Sequence, residues 1–265
     1  YAIGSHSNLY VVAAADNSCQ QAYYVGHDPG TVRVAPLVVD RYVVVAENRT
    51  ATDALLHVLL ADEEGRIVNE VQRLRLAGHI YLPPQASGNK LFVATDRGAL
   101  YSYEISPPDE RIAQGESPAL TSVAEYPPDD QEPLARYYLL RGAKLWLAGR
   151  DLTRFDIESA RGRLTPKWKH HEGDSFLQPP QGISQVVFHA RRKAGVPGIS
   201  VTAIDGDTAA VLWETLLAAP PAGALWQAPP QERLAIITRA GALHVVGAAQ
   251  LSGHRAAEAH LAGTL

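Results

Sequence analysis

The chain repeats a short apolar β-type run at near-regular intervals, and that recurrence restricts its fold more than any other feature. The runs are NLYVVAAADN from Asn8, DRYVVVAEN from Asp40, GNKLFVATDRG from Gly88, GAKLWLAGRD from Gly142, SQVVFHARR from Ser184 and ERLAIITRAG from Glu232. With Val43, Leu91, Leu145, Val186 and Leu234 set as equivalent, successive runs lie 48, 54, 41 and 48 residues apart. The first interval, from Tyr10 to Val43, is only 33 residues. A period of this size marks a repeat fold whose units bury their apolar faces on one another.

Each run is followed by a second strand-like segment. In FVATDRGALYSYEI the segment 99–105 alternates, with Leu100, Ser102 and Glu104 on one side and Tyr101, Tyr103 and Ile105 on the other. Period two is the signature of a strand. Between its halves, Asp96-Arg97-Gly98 reads as a hairpin turn, because glycine permits positive φ and short polar residues suit the bend. LLHVLLAD, LTRFDI, ISVTAID and ALHVVGA are the equivalents in other units. Third strands follow in DEEGRIVNEVQRLRL, DIESARGRLTPKW and DGDTAAVLWETLL, and PLVV, IYLPP and RYYLL precede the anchors as fourth strands. Proline-rich stretches such as ISPPDERIAQGESP and EYPPDDQEP separate the units as surface loops, since proline interrupts sheets. The helical candidates are short: 52–60, which reads equally well as a strand, and 250–261 in an alanine-rich tail expected to be helical or frayed. Four short strands every 45 residues or so predict an all-β fold, a β-propeller of four-stranded antiparallel blades with about five to seven blades. A β-sandwich is the competing arrangement. One domain spanning 1–265 is expected, with repeats anchored near 8–17, 40–48, 88–98, 142–151, 184–192 and 232–241.

ISVTAIDGDTAAVLWE, residues 199–214, resembles the repeat of quinoprotein-type (PQQ-like) β-propellers, in which a strand ending in alanine and aspartate leads through a turn to a strand carrying tryptophan. Asp205 and Trp213 match the aspartate and tryptophan, and Ala209 stands where the family has glycine. LTRFDIESARGRLTPKW is similar, through Asp156, Gly162 and Trp168. The resemblance implies that Trp168 and Trp213 pack between blades rather than touch a cofactor, as their large apolar area suggests; Trp146 and Trp226 fall outside the matched positions. Some family members are quinone-dependent dehydrogenases with calcium beside the quinone and, in many, a disulfide between adjacent cysteines. The single Cys19 cannot form that disulfide, and no acidic and asparagine constellation stands in a matched context. The resemblance therefore implies a protein-interaction or scaffolding domain without catalysis, cofactor or metal, within a larger bacterial, extracytoplasmic or membrane-anchored protein. A quinone-dependent dehydrogenase, or another propeller enzyme with an axial cofactor or metal site, is the alternative.

A net charge of −4 provides no general attraction for nucleic acid or anionic lipid, so neither is an expected partner. No apolar window approaches the roughly 18–20 residues a membrane-spanning helix needs, and the start of the chain lacks signal-peptide regions. Because it begins at Tyr1 and contains no methionine, the expectation is a processed chain or an excised fragment, with any targeting segment outside it. Lys169-His170-His171-Glu172-Gly173-Asp174 holds four residues able to ligate a metal, but adjacent histidines on a strand face opposite ways and the spacing matches no established site; a solvated loop is the simpler reading. Arg191-Arg192-Lys193 likewise reads as a solvated loop tip. No Gly-x-Ser-x-Gly elbow or phosphate-binding loop occurs, and Asn48-Arg49-Thr50 is formally a glycosylation sequon. A protein partner is expected on the loops. The acidic, proline-rich stretches 107–118 and 127–132 would suit basic groups. Arg97, Tyr101, Arg150 and Trp226 are the partner-binding candidates, since arginine and large aromatics dominate interface energies.

Overall fold

The computed structural model describes residues 1–26, 28–129, 133–158, 163–196, 198–217, 221–227, 233–239, 241–247 and 260–264. Its strands fall into successive antiparallel meanders. Strands β1 (Ala2–Ile3), β2 (Asn8–Val12) and β3 (Cys19–Tyr24) form the first. Next come β4 (Leu37–Val39), β5 (Tyr42–Asn48), β6 (Asp53–Ala61) and β7 (Ile67–Ala77), then β8 (Gln85–Ser87), β9 (Lys90–Ala94), β10 (Leu100–Ile105) and β11 (Leu120–Tyr126). The fourth meander is β12 (Tyr137–Arg141), β13 (Lys144–Ala148), β14 (Leu152–Glu158) and β15 (Arg163–His170). In the fifth, β16 (Ser175–Phe176) and β17 (Gln181–Ile183) both pair with β18 (Val186–Arg192), which continues to β19 (Ile199–Asp205) and β20 (Val211–Leu217). The last is β21 (Pro221–Gln227), β22 (Arg233–Thr238), β23 (Ala242–Gly247) and β24 (His260–Thr264). These up-and-down sheets are blades, and the fold is an all-β propeller. Each repeated apolar run of the sequence supplies the second strand of a blade.

Two compact units divide the chain. The first comprises Tyr1–Arg136, Gly142–Lys144 and Asp156–Thr165; the second comprises Tyr137–Arg141, Leu145–Phe155 and Pro166–Leu265.

Within the first unit, strand parity explains the packing. On β5, Tyr42, Val44 and Ala46 enter one apolar cluster with Leu91, Val93, Tyr103 and Ile105 of β9 and β10. Their neighbours Val43 and Val45 point the other way, into a cluster with Leu9 and Val11 of β2. Both faces of a middle strand are thus covered, so β5 reads YVVVAEN rather than as an alternating strand. The second unit repeats the device: Phe188 and Ala190 of β18 join Ile199, Val201 and Trp213, whereas Val187 turns to Trp146, Ala148 and Ile204.

Polar clamps hold the outer strands. The Gln21 side chain on β3 donates to Ile67 O at 2.8 Å and accepts from Ile67 N at 2.7 Å. One blade later, Gln72 on β7 grips Leu120 in the same manner, at 2.8 and 2.7 Å. Each amide satisfies both backbone groups at the first residue of the next blade's outer strand.

Three stretches differ from the sequence expectations, and a fourth, 52–60, takes one of its two readings. Residues 107–118 are not simply a loop: Glu110–Ala113 forms one helical turn, α1, capped by the Asp109 carboxylate on Ile112 N–H, and buried Ile112 anchors it to the core. Of residues 52–60, 53–60 are strand, within β6, which is the second of the two readings the sequence allowed. IYLPP gives way to β8, after the prolines that cannot donate to a ladder. Within the tail, His260–Thr264 pairs with β23 as a strand rather than a helix.

At the turn of the matched repeat, Asp205 Oδ1 accepts from Asp207 N–H, Thr208 N–H and the Thr208 hydroxyl, which accounts for the aspartate. Ala209 follows at φ +63°, the left-handed region that costs a non-glycine residue roughly 1–2 kcal/mol. That is the physical reason for glycine in the repeat pattern. Trp213 is buried against Phe188, with ring centroids 6.1 Å apart, and the half-buried Trp168 donates to Asp207 O at 3.1 Å. Gly162 lies outside the described residues.

Replacing Gln72 by alanine leaves Leu120 N–H and O unpaired and should cost about 1–3 kcal/mol in urea unfolding, whereas exposed Gln85→Ala should change stability by under ~0.5 kcal/mol. Ala209→Gly should raise the unfolding midpoint, by relief of the left-handed strain less the added chain entropy of glycine, a net gain under ~1 kcal/mol.

Candidate functional site

The ends of β5, β7 and β9 in the first unit carry loops tied together by hydrogen bonds. Asn48 N–H donates to Thr31 O at 2.8 Å, and Asp96 N–H donates to His79 O at 2.9 Å. The Asn48 amide grips Ile80 through both backbone groups, at 3.0 and 2.7 Å. His79 Nε2 lies 2.7 Å from Thr50 O, and His79 N–H donates to the buried Asp96 carboxylate at 2.7 Å. On this frame Arg33 places its guanidinium 5.7 Å from the ring centre of Tyr81, which is 43% exposed.

Beside these loops lies a polar cavity of about 210 Å³. Its base is Glu47 on β5 and His57 on β6, both buried. His57 Nε2 lies 3.1 Å from Glu47 Oε2 and its Nδ1 lies 2.7 Å from Glu70 Oε1. Arg73 closes the cluster, donating to both Glu70 oxygens at 2.9 and 2.5 Å. Burial works to raise the Glu70 carboxyl, yet the hydrogen bonds from Arg73 and His57 hold it below its ordinary value. Asp28 and Arg49 complete the lining. Glu47 Oε1 has no hydrogen-bond partner among the described residues. It lies over Gly26, where an added Cβ would come within 2.2 Å of it. The glycine is what lets backbone and carboxylate approach.

The second unit holds the other polar centre. Arg191 on β18 is 1% exposed, which corrects the reading of 191–193 as a solvated tip: Arg191 faces inward because its blade offers acceptors on every side. Its Nε donates to Asp174 at 2.6 Å, Nη2 to Glu214 at 3.0 Å, and Nη1 to Thr202 and, at 3.2 Å, to His189 Nε2. Lys193 and the Ser200 hydroxyl fill the other Glu214 oxygen, at 2.8 and 2.5 Å. Burial opposes ionisation of Glu214, but these donors outweigh it and hold the carboxyl at about 2. His171, turned back at φ +60°, packs 4.8 Å from the His189 ring and 4.1 Å from His170. The pair at 170–171 is therefore partly built into the blade rather than simply solvated. Burial, Arg191 and His170 push His171 down to about 4, and burial with His171 and Arg191 holds His189 well below its ordinary value. Among the described residues no group of three or more histidine, cysteine or acidic side chains is placed to hold a metal ion.

Of the four sequence candidates, Arg97 sits in the turn after β9, partly exposed, with no side-chain bond among the described residues. Half-buried Tyr101 accepts Ala77 N–H on its hydroxyl at 3.1 Å and stacks on Tyr103. Arg150, at the turn after β13 in the second unit, accepts Gly173 N–H on its carbonyl at 3.0 Å. Trp226 is described by its backbone alone, in β21. Sequence reasoning missed Asp28, Arg33, Glu47, His57 and Tyr81. The available signal was two ionisable residues inside apolar strands, the histidine of LLHVLL and the glutamate closing YVVVAE.

No family model matches the sequence, and no curated protein matches it. Among solved structures the chain is similar to BamB from Moraxella catarrhalis, with a TM-score of 0.49 and 14% identity over 93% of this chain and 81% of that one. It is also similar to the computationally designed protein Ika8, with a TM-score of 0.64 and 12% identity over 98% of this chain and 71% of that one. The second likeness concerns the fold alone. No helix among the described residues is long and apolar enough to cross a membrane.

Because His171 and His189 titrate below the usual 6.5 when folded, the unfolded chain binds more protons as pH falls from about 6.5 towards 4. Stability should be level above pH 7 and drop across that window, read as the urea midpoint. His171→Asn, which tolerates positive φ, should flatten the drop. Arg191→Met removes the donor from one oxygen each of Asp174 and Glu214 and breaks the buried ion pairs, and should cost about 3 kcal/mol.

Proposed function

We propose that this chain is a non-catalytic propeller of quinoprotein-type repeats that serves as a protein-interaction or scaffolding domain, part of a larger bacterial protein outside the cytoplasm. The observation that carries the reading is the loop end of the first unit, where exposed Tyr81 lies under the Arg33 guanidinium. Arg49 is exposed and Arg97 partly exposed on the neighbouring turns. An aromatic ring flanked by arginines on a rigid frame is the composition of an interface hot spot. Hydrogen-bonded loops reduce the ordering cost of association. The Arg49 and Arg97 guanidinium groups, without side-chain partners among the described residues, suit a segment that presents carboxylates.

The test is retention of proteins from the source cell on the immobilised chain, followed by calorimetry with the purified partner. Tyr81→Ala and Arg97→Ala should each weaken binding at least tenfold, and Tyr24→Ala, an exposed control on β3, should leave it unchanged. Equal affinity for all three variants would remove the loop end as the docking surface.

A further inference from the structure

The cavity at the base of that loop end carries a separate inference: we propose that it binds a small zwitterion of the amino-acid class, ammonium towards Glu47 and Asp28 and carboxylate towards Arg49. Glu47 is 6% exposed, and its Oε1 faces the cavity with no donor among the described residues. That oxygen is met only by the solvent of the cavity, so the site favours an occupant that donates to it and matches its charge. An ammonium group donates three N–H bonds and carries the matching charge. Glu47 Oε2 is already committed to His57, and Arg73 is committed to Glu70, so the inner cluster is internally paired and rigid. Two charges at the cavity remain uncommitted among the described residues: the Asp28 carboxylate, whose residue is held by Ser7 and Thr31 through its backbone oxygen, and the Arg49 guanidinium. One anion at the base, one at the rim and one free cation match a ligand that bears both signs. A simple cation would meet Arg49 and Arg73, and a simple anion would meet Glu47 and Asp28.

Size supports an organic occupant. One water needs roughly 10–15 Å³ of such space, so a volume of about 210 Å³ admits a molecule of several heavy atoms. The absence of side chain at Gly26 keeps that volume open, since a Cβ there would collide with Glu47 Oε1.

The test is calorimetric titration of the whole chain with glycine, β-alanine and γ-aminobutyrate, which vary the separation of the two charges, against n-butylammonium and butyrate, which carry one each. At least one zwitterion should bind saturably and at least tenfold more tightly than either single-charge compound. Asp28→Asn, at an exposed position, and Glu47→Gln should each weaken that binding tenfold or more. Arg49→Ala should do the same, and Arg75→Ala, whose partner is Asp53 outside the cavity, should not. If Glu47→Gln fails to fold, Asp28→Asn and Arg49→Ala decide the matter. No saturable zwitterion binding, or equal binding of n-butylammonium, would overturn the proposal, as would unchanged affinity in Asp28→Asn.

Discussion

Burial of both faces of each blade's middle strands is the constraint on which this molecule depends. A lone four-stranded meander with Val43, Val44 and Val45 in sequence would expose one apolar face to water. Stacked between neighbours, β5 sends Tyr42, Val44 and Ala46 to one cluster and Val43 and Val45 to another, and all five are buried. Full burial of a valine-sized side chain contributes about 1.5–3 kcal/mol. The gain exists only when adjacent blades are formed, which couples each blade to the next. The outer strands need less, and their exposed residues, such as Val68 on β7, show it.

Apolar stacking does not by itself fix how far one blade is rotated on the next, and the polar contacts at strand ends do. Gln21 with Ile67 and Gln72 with Leu120 span 46 and 48 residues with nearly the same distances. At the other end of the blade, a residue at or just past the end of the second strand reaches back seventeen residues through its backbone, Asn48 N–H to Thr31 O and Asp96 N–H to His79 O. In the second unit Arg191, near the end of β18, spans the same interval to Asp174 through its side chain. The interval is preserved while the groups that span it are free to change.

This freedom explains what was legible in the sequence. Middle strands were visible because double-face burial leaves continuous apolar runs such as KLFVA and KLWLA, and all six mark second strands. Trp213 is buried and Trp168 half-buried, in keeping with the large apolar area of the side chain. Ala209 shows the limit of pattern: the turn demands a left-handed residue, and alanine tolerates it at a cost. Edge elements escaped, since β8 is three exposed residues and α1 a single turn inside a proline-rich stretch. The polar centres escaped for a different reason. Glu47 and His57 face each other only through the register that sets Val45 opposite His57, and Arg191 looked like a loop residue because its partners come from Asp174, Thr202 and Glu214. Spacing along the chain carries none of that.

The two polar centres also show how one blade position can be spent on stability or on recognition. Around Arg191, every arm of the guanidinium has an acceptor, and both oxygens of Glu214 have donors. This saturation of Arg191 and Glu214 rigidifies the blade, while the neighbouring His189 Nδ1 and His171 Nε2 are buried without a partner among the described residues. Around Glu47 the arithmetic differs by one atom: His57 takes one oxygen, the other looks into an open cavity, and uncommitted charges of both signs stand at the rim. Saturation marks the first centre as part of the scaffold. The single open oxygen over Gly26 is what makes the second able to distinguish one molecule from another.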